Sequence, residues 1–333
     1  MKMSIKTISK MTGFSPATVS NALNNKKGVG RETSERILAV AKEHGYFPEP
    51  KIDNIKLVIY KWDGIIVSDT PFFSAIIGGI EDEARKAGYE TTLCNLSPRN
   101  ADFHDVRNQL LNDPNSALLL LATEMDEEDA KPFINTISPL VMIDNWFEDT
   151  IFDAILIDNT DMSCNAVKYL IAKGHKEIGY LKGSIRIKNF FYREEGYKRA
   201  LATAGIELNP AYSFSLTPTM EGAYVDMQMF LAQGKPLPTA FFADNDIIAL
   251  GAMRALQEKG FRIPNDISVV GFDDMPFCAV SNPPLTTVRV HKEEMGRIAV
   301  RKLFDKMKHN PGARTKIQVC STFIERDSVA AIE

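Results

Sequence analysis

The sequence is poor in the residues that staple or metallate a fold. Its four cysteines, Cys94, Cys164, Cys278 and Cys320, lie far apart with no C-x-x-C, which argues against a zinc site and a disulfide scaffold. The five histidines, His44, His104, His175, His291 and His309, form no H-E-x-x-H or similar spacing, so no metal site is expected. There is no G-x-S-x-G, Walker loop or G-x-G-x-x-G, and Gly28-Val29-Gly30 follows a helical pattern rather than a strand, so neither an enzyme nor a cofactor is expected. His175 belongs to a Lys-Gly-His helix stop, where capping is its simplest role. No apolar run reaches the roughly eighteen residues a membrane span needs. Met1 to Met11 lacks the apolar stretch of a secretory signal, so a cytoplasmic protein with no membrane partner is expected.

What is present is uneven charge. Net charge is -4 overall, yet residues 1–50 carry 8 Lys/Arg against 4 Asp/Glu. A basic head on an acidic body points to a polyanion partner for the head alone. Within that head, Ile5, Ile8 and Met11 suggest a short helix closed by Thr12-Gly13. Ser15 is placed as an N-cap with Pro16 as first helical residue, and a second helix runs to about Leu23 with Ala17, Val19, Ala22 and Leu23 available for packing. A third helix opens near Glu32–Ser34, buries Ile37, Leu38, Val40 and Ala41, and stops at Gly45.

Helix, glycine turn, short helix and longer helix make the helix-turn-helix plan, whose second helix enters the DNA major groove. A three-helix cap is the plainer alternative. Against it stand Thr18, Ser20 and Asn21 on the outward face, which suit phosphates and base edges and add nothing to a core. Lys10, Lys26, Lys27 and Arg31 flank them and can meet phosphates.

IKTISKMTGFSPATVSNALNN closely resembles the N-terminal headpiece of the lactose-repressor (LacI/GalR) family of bacterial regulators. Gly13, Ser15, Thr18, Val19, Ser20 and Asn24 match its motif, as do Gly45-Tyr46 and Pro48. The resemblance implies DNA contacts from Ser15, Pro16, Ala17, Thr18, Ser20, Asn21, Asn24, Lys26, Lys27 and Arg31. One position departs: the family usually has Arg after its Val-Ser pair, and here Asn21 stands there, a residue that suits adenine better than guanine. The linker departs too. Only residues 49–54 separate Pro48 from the first core strand, and Pro50 lies among them, whereas the family carries a longer stretch that forms a hinge helix on DNA.

From Asn54 strands alternate with helices: NIKLVIY, then a helix through Phe73, Ile76, Ile77, Ile80 and Ala84, then YETTLCN, Asp102–Leu111, SALLLLA, a helix near Glu127–Ile137, and PLVMI. After Ala154–Ile157 the cycle restarts, with helices across Asp161–Lys173, Glu194–Ala204, Glu221–Ala232 and Ile247–Lys259 between strands EIGYL, Tyr212–Leu216, TAFFA and ISVVGF. The expected class is α/β: a helix-turn-helix head and a two-lobed core of doubly wound parallel sheets, similar to periplasmic binding proteins. The family resemblance extends over the core through R-x-x-G-Y at Arg193–Tyr197, ADNDIIALGAMRAL, IPNDISVVGFDD and FIERDSV. It implies a head at 1–50, a linker at 51–54, lobe one at 54–158 and 288–319, and lobe two at 159–287 and 320–333.

Ligands of open α/β sheets bind at the carboxyl ends of strands. Phe73 fits the buried stripe of its helix and Phe72 lies off it, where the family stacks a side chain on its ligand. Arg193 matches a family arginine that donates into the cleft, and Asp273 matches a ligand-facing carboxylate beside Asp274. Asn245-Asp246 ends strand TAFFA, where one side chain can cap the next helix while the other faces the ligand. Asp144 follows PLVMI as a candidate from lobe one. Trp62 and Asp63 sit in a long loop and either reach the cleft or form an exposed tip.

Aromatic plates with Asp, Asn and Arg at the rim favour a sugar, and a purine would also stack. The sequence therefore reads as a ligand-responsive transcriptional regulator, a repressor acting as a homodimer on double-stranded operator DNA. The alternatives are a purine-responsive regulator, or a transport-type solute-binding protein that would need no basic head.

Overall fold

The computed structural model describes residues 4–23, 28–44, 52–68, 71–309 and 312–332, and the chain divides into two compact units, Met1–Ile52 and Asp53–Glu333. The first unit holds three helices, α1 Ile5–Thr12, α2 Pro16–Leu23 and α3 Arg31–Glu43. Gly13 turns the chain between α1 and α2 at φ 78, and its N–H donates to the Ser9 carbonyl at 2.9 Å. Few side chains other than hydrogen tolerate that conformation. Ser15 starts α2 by accepting from the Thr18 N–H at 3.1 Å. Ile8, Val19, Ala22, Leu23, Ile37 and Ala41 form the core, with Ile5, Phe14 and Val29 packed against it. Ile8 and Ile37 are fully enclosed, so truncating either to Ala costs about 2–5 kcal/mol. Ala17, expected to pack, is exposed: the inner face of α2 runs through Val19, Ala22 and Leu23, and Ala17 falls on the other side. Leu38 and Val40 likewise stay out of this core. Asn24, Lys26, Lys27, the Gly45–Pro48 motif and the linker as far as Lys51 lie outside the described residues, as does the Arg31 side chain.

The second unit opens with β1 Asn54–Tyr60, α4 Ile65–Ser68, α5 Pro71–Lys86, β2 Glu90–Leu96, α6 Phe103–Leu111 and β3 Ser116–Leu121. α7 Glu127–Ala130, β4 Leu140–Ile143 and β5 Ala154–Ile157 follow. With β11 Lys316–Val319 these strands form a parallel sheet of order β11-β5-β4-β3-β1-β2. β3, SALLLL, is buried at every position, as a strand covered on both faces must be. The helix expected over Glu127–Ile137 is only α7 and a 3-10 turn, Lys131–Asn135, because Pro132 removes a backbone donor.

A second parallel sheet, order β7-β6-β8-β9, is built from β6 Ile178–Gly183, β7 Ser213–Leu216, β8 Ala240–Ala243 and β9 Ser268–Val270. Its helices are α8 Asn159–Ala172, α9 Lys188–Thr203, α10 Met220–Ala232, α11 Asp246–Glu258 and α12 Pro276–Val280. Three connections join the sheets: β5 runs into α8, β10 Thr287–Arg289 leads into α13 Lys292–His309 and β11, and β12 Thr322–Ile324 returns to pair antiparallel with β10. α9 opens at Lys188 rather than near Glu194, so Arg193 stands inside the helix and not at its positive end. Gly196 lets α9 lie against the Thr160 carbonyl and Ser163 of α8, where a Cβ would collide with backbone. The R-x-x-G-Y motif thus has three jobs: Arg193 faces α8 and the strand ends, Gly196 allows the close approach, and the Tyr197 hydroxyl donates to the Ile178 carbonyl at 2.8 Å. Among the described residues no helix is long and apolar enough to cross a membrane.

Candidate functional site

The strand ends of the two sheets face one another across a cleft, and the polar side chains placed there are linked in one chain of hydrogen bonds. Arg193 occupies its centre. Its Nε donates to Asn159 Oδ1 at 2.9 Å, one terminal nitrogen to the Asp244 carbonyl at 2.6 Å, and the other to Asp273 Oδ1 at 3.1 Å. The guanidinium also lies 3.8 Å from the Phe272 ring centre. From Asn159 the chain of bonds continues to Asn189 at 2.8 Å and then to Asp144 at 2.9 Å, which belongs to the six-stranded lobe.

Two of these carboxylates sit on backbone that non-glycine residues rarely adopt. Asp144 has φ 68 and Asp273 has φ 111, each just past a strand end. Such conformations persist where surrounding contacts over-determine them, and they cluster at ligand sites. Burial pushes the Asp144 carboxyl up to about 6, against the donors Thr123 and Asn189, and raises Asp273 as well. Asp244, wholly buried beside Tyr180, Arg186 and the Gly183 N–H, is also pushed up to about 6 by burial. Burial thus holds all three carboxyls above the usual aspartate range.

A small cavity lies beside this network. Phe72, Phe73, Asp144, Arg193, Asn245 and Asp273 all line it, so six of the seven side chains expected at a ligand converge on one space. Phe72 and Phe73 pack edge to face at 5.1 Å, and both are buried. Asn245 does double duty: its Oδ1 accepts from the Ile248 N–H at 3.0 Å while the residue borders the cavity. Asp246 does not reach it. Its oxygens accept from the Thr287 hydroxyl at 2.5 Å and the Met275 N–H at 2.8 Å, and burial lifts its carboxyl to about 7. It therefore ties α11 to the second connection between the lobes. The capping pair divides its labour, with Asn245 alone facing inward.

Sequence reasoning missed Ile66, Thr123, Ile157, Ile187, Asn189 and Phe190 in the wall. Thr123 follows strand β3 and was discoverable by the strand-end rule; Asn189 carries no local signal. Glu124 was missed for another reason. It lies outside the wall but accepts four backbone N–H groups, from Trp62, Gly64, Ile66 and Val67, at 2.8 to 3.2 Å. That one carboxylate shapes the loop and short helix which carry Ile66 to the cavity. Trp62 itself is exposed on the loop. His175 is buried, with Thr239 at 2.9 Å and the Ala330 carbonyl at 3.1 Å, so it pins the helix stop to β8 and the C-terminal tail. Among the described residues no cluster of His, Cys, Asp or Glu is arranged to hold a metal.

In the head, Ser15, Pro16 and Ala17 are exposed and Thr18, Ser20 and Asn21 are partly exposed, all off the packed face of α2. The Thr18 and Ser15 hydroxyls lie 2.9 Å apart at the helix start. Lys10 is exposed at the end of α1. α2 thus presents a small polar face of the kind a helix offers to a groove.

A family model described as bacterial regulatory proteins, lacI family, matches residues 4–49, and a periplasmic binding protein-like domain matches residues 167–329. The chain is 33% identical over 329 residues to the HTH-type transcriptional repressor PurR of Pasteurella multocida (strain Pm70), with 98% of both chains covered. Among solved structures it is similar to a transcriptional regulator CelR–cellobiose complex, at 25% identity and TM-score 0.75, covering 98% of this chain and 100% of the other. It shares its fold with the lac repressor dimer bound to operator and the anti-inducer ONPF, at 23% identity and TM-score 0.72, covering 99% and 100%.

Proposed function

Because the chain belongs to the lacI family of bacterial regulatory proteins, we propose that a small molecule held in the Arg193 cavity controls its grip on operator DNA. The chain is a DNA-binding transcriptional repressor with an effector-binding core. It acts on DNA as a homodimer, each head reading one half-site through Ser15, Pro16, Ala17, Thr18, Ser20 and Asn21. Lys10, Lys26, Lys27 and Arg31 meet the flanking phosphates, and Asn24 adds a further DNA contact. The core moves as two lobes, 54–158 with 288–319 and 159–287 with 320–333.

The observation that carries this reading is the convergence of Phe72, Phe73, Asp144, Arg193, Asn245 and Asp273 on one cavity between the lobes. A ligand there touches both lobes at once, so it changes the free energy of closure, which is the only way a ligand shifts such an equilibrium. The effector is a sugar. Phenyl faces take its C–H groups, and Asp144, Asp273, Asn245 and the remaining Arg193 donors take its hydroxyls. The similar CelR structure is a complex with cellobiose, which supports that class. A purine is the second reading, favoured by the three phenyl rings in the wall and by an arginine that already spends three of its nitrogens on protein acceptors.

Thermal shift of the purified protein with cellobiose, ribose, hypoxanthine and guanine separates the two classes, since a ligand of the native state raises its stability. Operator binding measured with and without the compound that shifts the melt then gives the direction of control. No shift with any sugar, and a shift with a purine, would replace the first reading by the second.

A further inference from the structure

We propose that the core makes a second contact with DNA: the corner where α13 ends and β11 begins grips the phosphate backbone of the duplex that the head has bound. This inference rests on the reading of the chain as a DNA-bound repressor.

Outside the head the chain is acidic, with 31 Lys/Arg against 39 Asp/Glu over residues 51–333. The stretch 302–316 runs the other way, with Lys302, Lys306, Lys308, Arg314 and Lys316 against Asp305 alone. A helix C-terminus favours cations, which accounts in part for the lysines of α13. It does not account for Arg314, which lies beyond the helix, nor for how these cations are held. Asp153, immediately before β5, is wholly buried, and three of them converge on it: Lys302 at 3.4 Å, Lys306 at 2.7 Å and Arg314 at 3.2 Å. One carboxylate cannot balance three cations. Burial lowers the Lys306 ammonium below its ordinary value, and Arg314 and Lys302 add to that against the pull of Asp153.

Lys302 and Lys306 are mostly covered, whereas the Arg314 side chain is 43% exposed. Lys308 is exposed and has no ion pair or hydrogen bond among the described residues. Lys308 and Arg314 are thus the outward cations, and the covered lysines add their field from behind. Such groups meet phosphates without reading bases.

The corner lies where DNA can reach it. The six strands of its sheet run parallel, so their first residues share one end. The linker enters that end at Asn54, the first residue of β1. Asp153 and Thr315 mark the corner at the same end, each just before a strand, and the Thr315 N–H donates to Asp153 at 3.0 Å. β11 stands four strands from β1, or about 19 Å. Asp53 and Glu90 are exposed beside β1 and β2, towards the opposite edge, and Asp113 is already paired with Lys56 at 2.5 Å, so the positive charge is confined to the corner. Residues 49–54 span roughly 20 Å when extended, so a head seated in a groove tethers this end of the sheet to the duplex.

Titration of the full chain at several salt concentrations tests the contact, on a duplex which that chain has selected from random DNA and on an unselected one. Lys308→Gln and Arg314→Gln should each lower the log–log salt slope by about 1 per protomer. Both should weaken the two duplexes alike, unlike Asn21→Ala, which should weaken only the selected one. Lys308→Glu should weaken binding further than Lys308→Gln. Arg314→Lys keeps the charge beside Asp153 and should keep the slope. Lys235→Gln, at an exposed position between α10 and β8, should change nothing, which separates a contact from a change in net charge. Slopes unmoved by both Lys308→Gln and Arg314→Gln overturn the proposal, and so does an equal fall in Lys235→Gln. A wild type that binds neither duplex removes the repressor reading and this contact together, whereas a wild type that binds, with a slope the two substitutions leave in place, removes the second contact alone.

Discussion

Asn189 of α9 donates to Asp144, at the end of β4, across 2.9 Å, and so joins one lobe to the other through a single amide and a single carboxylate. Thr123 supplies the other donor to Asp144 at 2.6 Å. The relay then runs through Asn159 and Arg193 to Asp273, so the lobes are coupled to the cavity by polar groups with fixed partners. Asn189→Ala leaves a buried carboxylate one donor short. We expect a loss of about 1–3 kcal/mol in stability and a wider average cleft. Urea denaturation and small-angle scattering measure both, and a variant with unchanged midpoint and radius of gyration would mean the bond does not hold the lobes.

Arg193→Ala and Asp273→Ala should each abolish the response to effector while operator affinity of the ligand-free protein stays nearly the same. Both residues contact the cavity and lie in a unit distinct from the head. Calorimetry with the effector and fluorescence anisotropy on operator DNA separate the two properties. Wild-type effector affinity in either variant would exclude that residue from the pocket.

Stability should depend on pH through the buried aspartates. Burial raises Asp144 to about 6 and Asp246 to about 7, above the unfolded value of about 4. The folded state therefore binds these protons more tightly than the unfolded chain. Their contribution is fully present below about pH 4 and is lost as pH rises through 6 to 7. Asp246→Asn cannot titrate, so the wild type should lose stability relative to this variant between about pH 5 and about pH 8. Urea midpoints across that range check it, and a constant offset between the two proteins would remove Asp246 from the titration.

On DNA, Asn21→Ala should weaken operator binding by about 1–3 kcal/mol for the lost base contact and leave random DNA unaffected. Thr18→Ala should cost a similar amount, with a small added loss because the Ser15–Thr18 hydroxyl contact at the start of α2 goes too. Titrations against both DNAs at several salt concentrations read this directly. Equal losses on the two would show that Asn21 does not read a base.

The short linker makes a prediction about DNA shape. Residues 49–54 span roughly 20 Å when extended, and Pro50 opposes a helix. Ile52, half-buried, is the one apolar side chain in that stretch. The operator should therefore be bent much less than by relatives with a hinge helix, because no side chain is available to unstack a base step. Circular permutation of a bound fragment measures the bend. A sharp central kink that disappears in Ile52→Ala would show the linker acting as the wedge after all.

The sequence by itself determined the elements that rest on neighbouring residues. Ser15-Pro16 marked the start of α2, Gly13 marked the turn before it, and alternating apolar runs located the parallel strands. These signals are local, since caps, turns and periodicity involve residues a few positions apart. The same logic brought Phe72, Asp144, Asn245 and Asp273 to strand ends and helix starts, and resemblance singled them out together with Arg193, which stands inside α9 rather than at its start. Only the tertiary structure decided which of them meet. Asn245 and Asp246 are adjacent and of similar chemistry, yet one borders the cavity and the other braces Thr287, because an N-cap and the residue after it point to opposite sides of the helix start. Asn189 and Glu124 gave no local warning of their roles, and Thr123 gave only its place just after a strand. Each bonds to a partner remote in the chain, and such pairings are set by how the sheets and helices pack rather than by any pattern in the residues beside them.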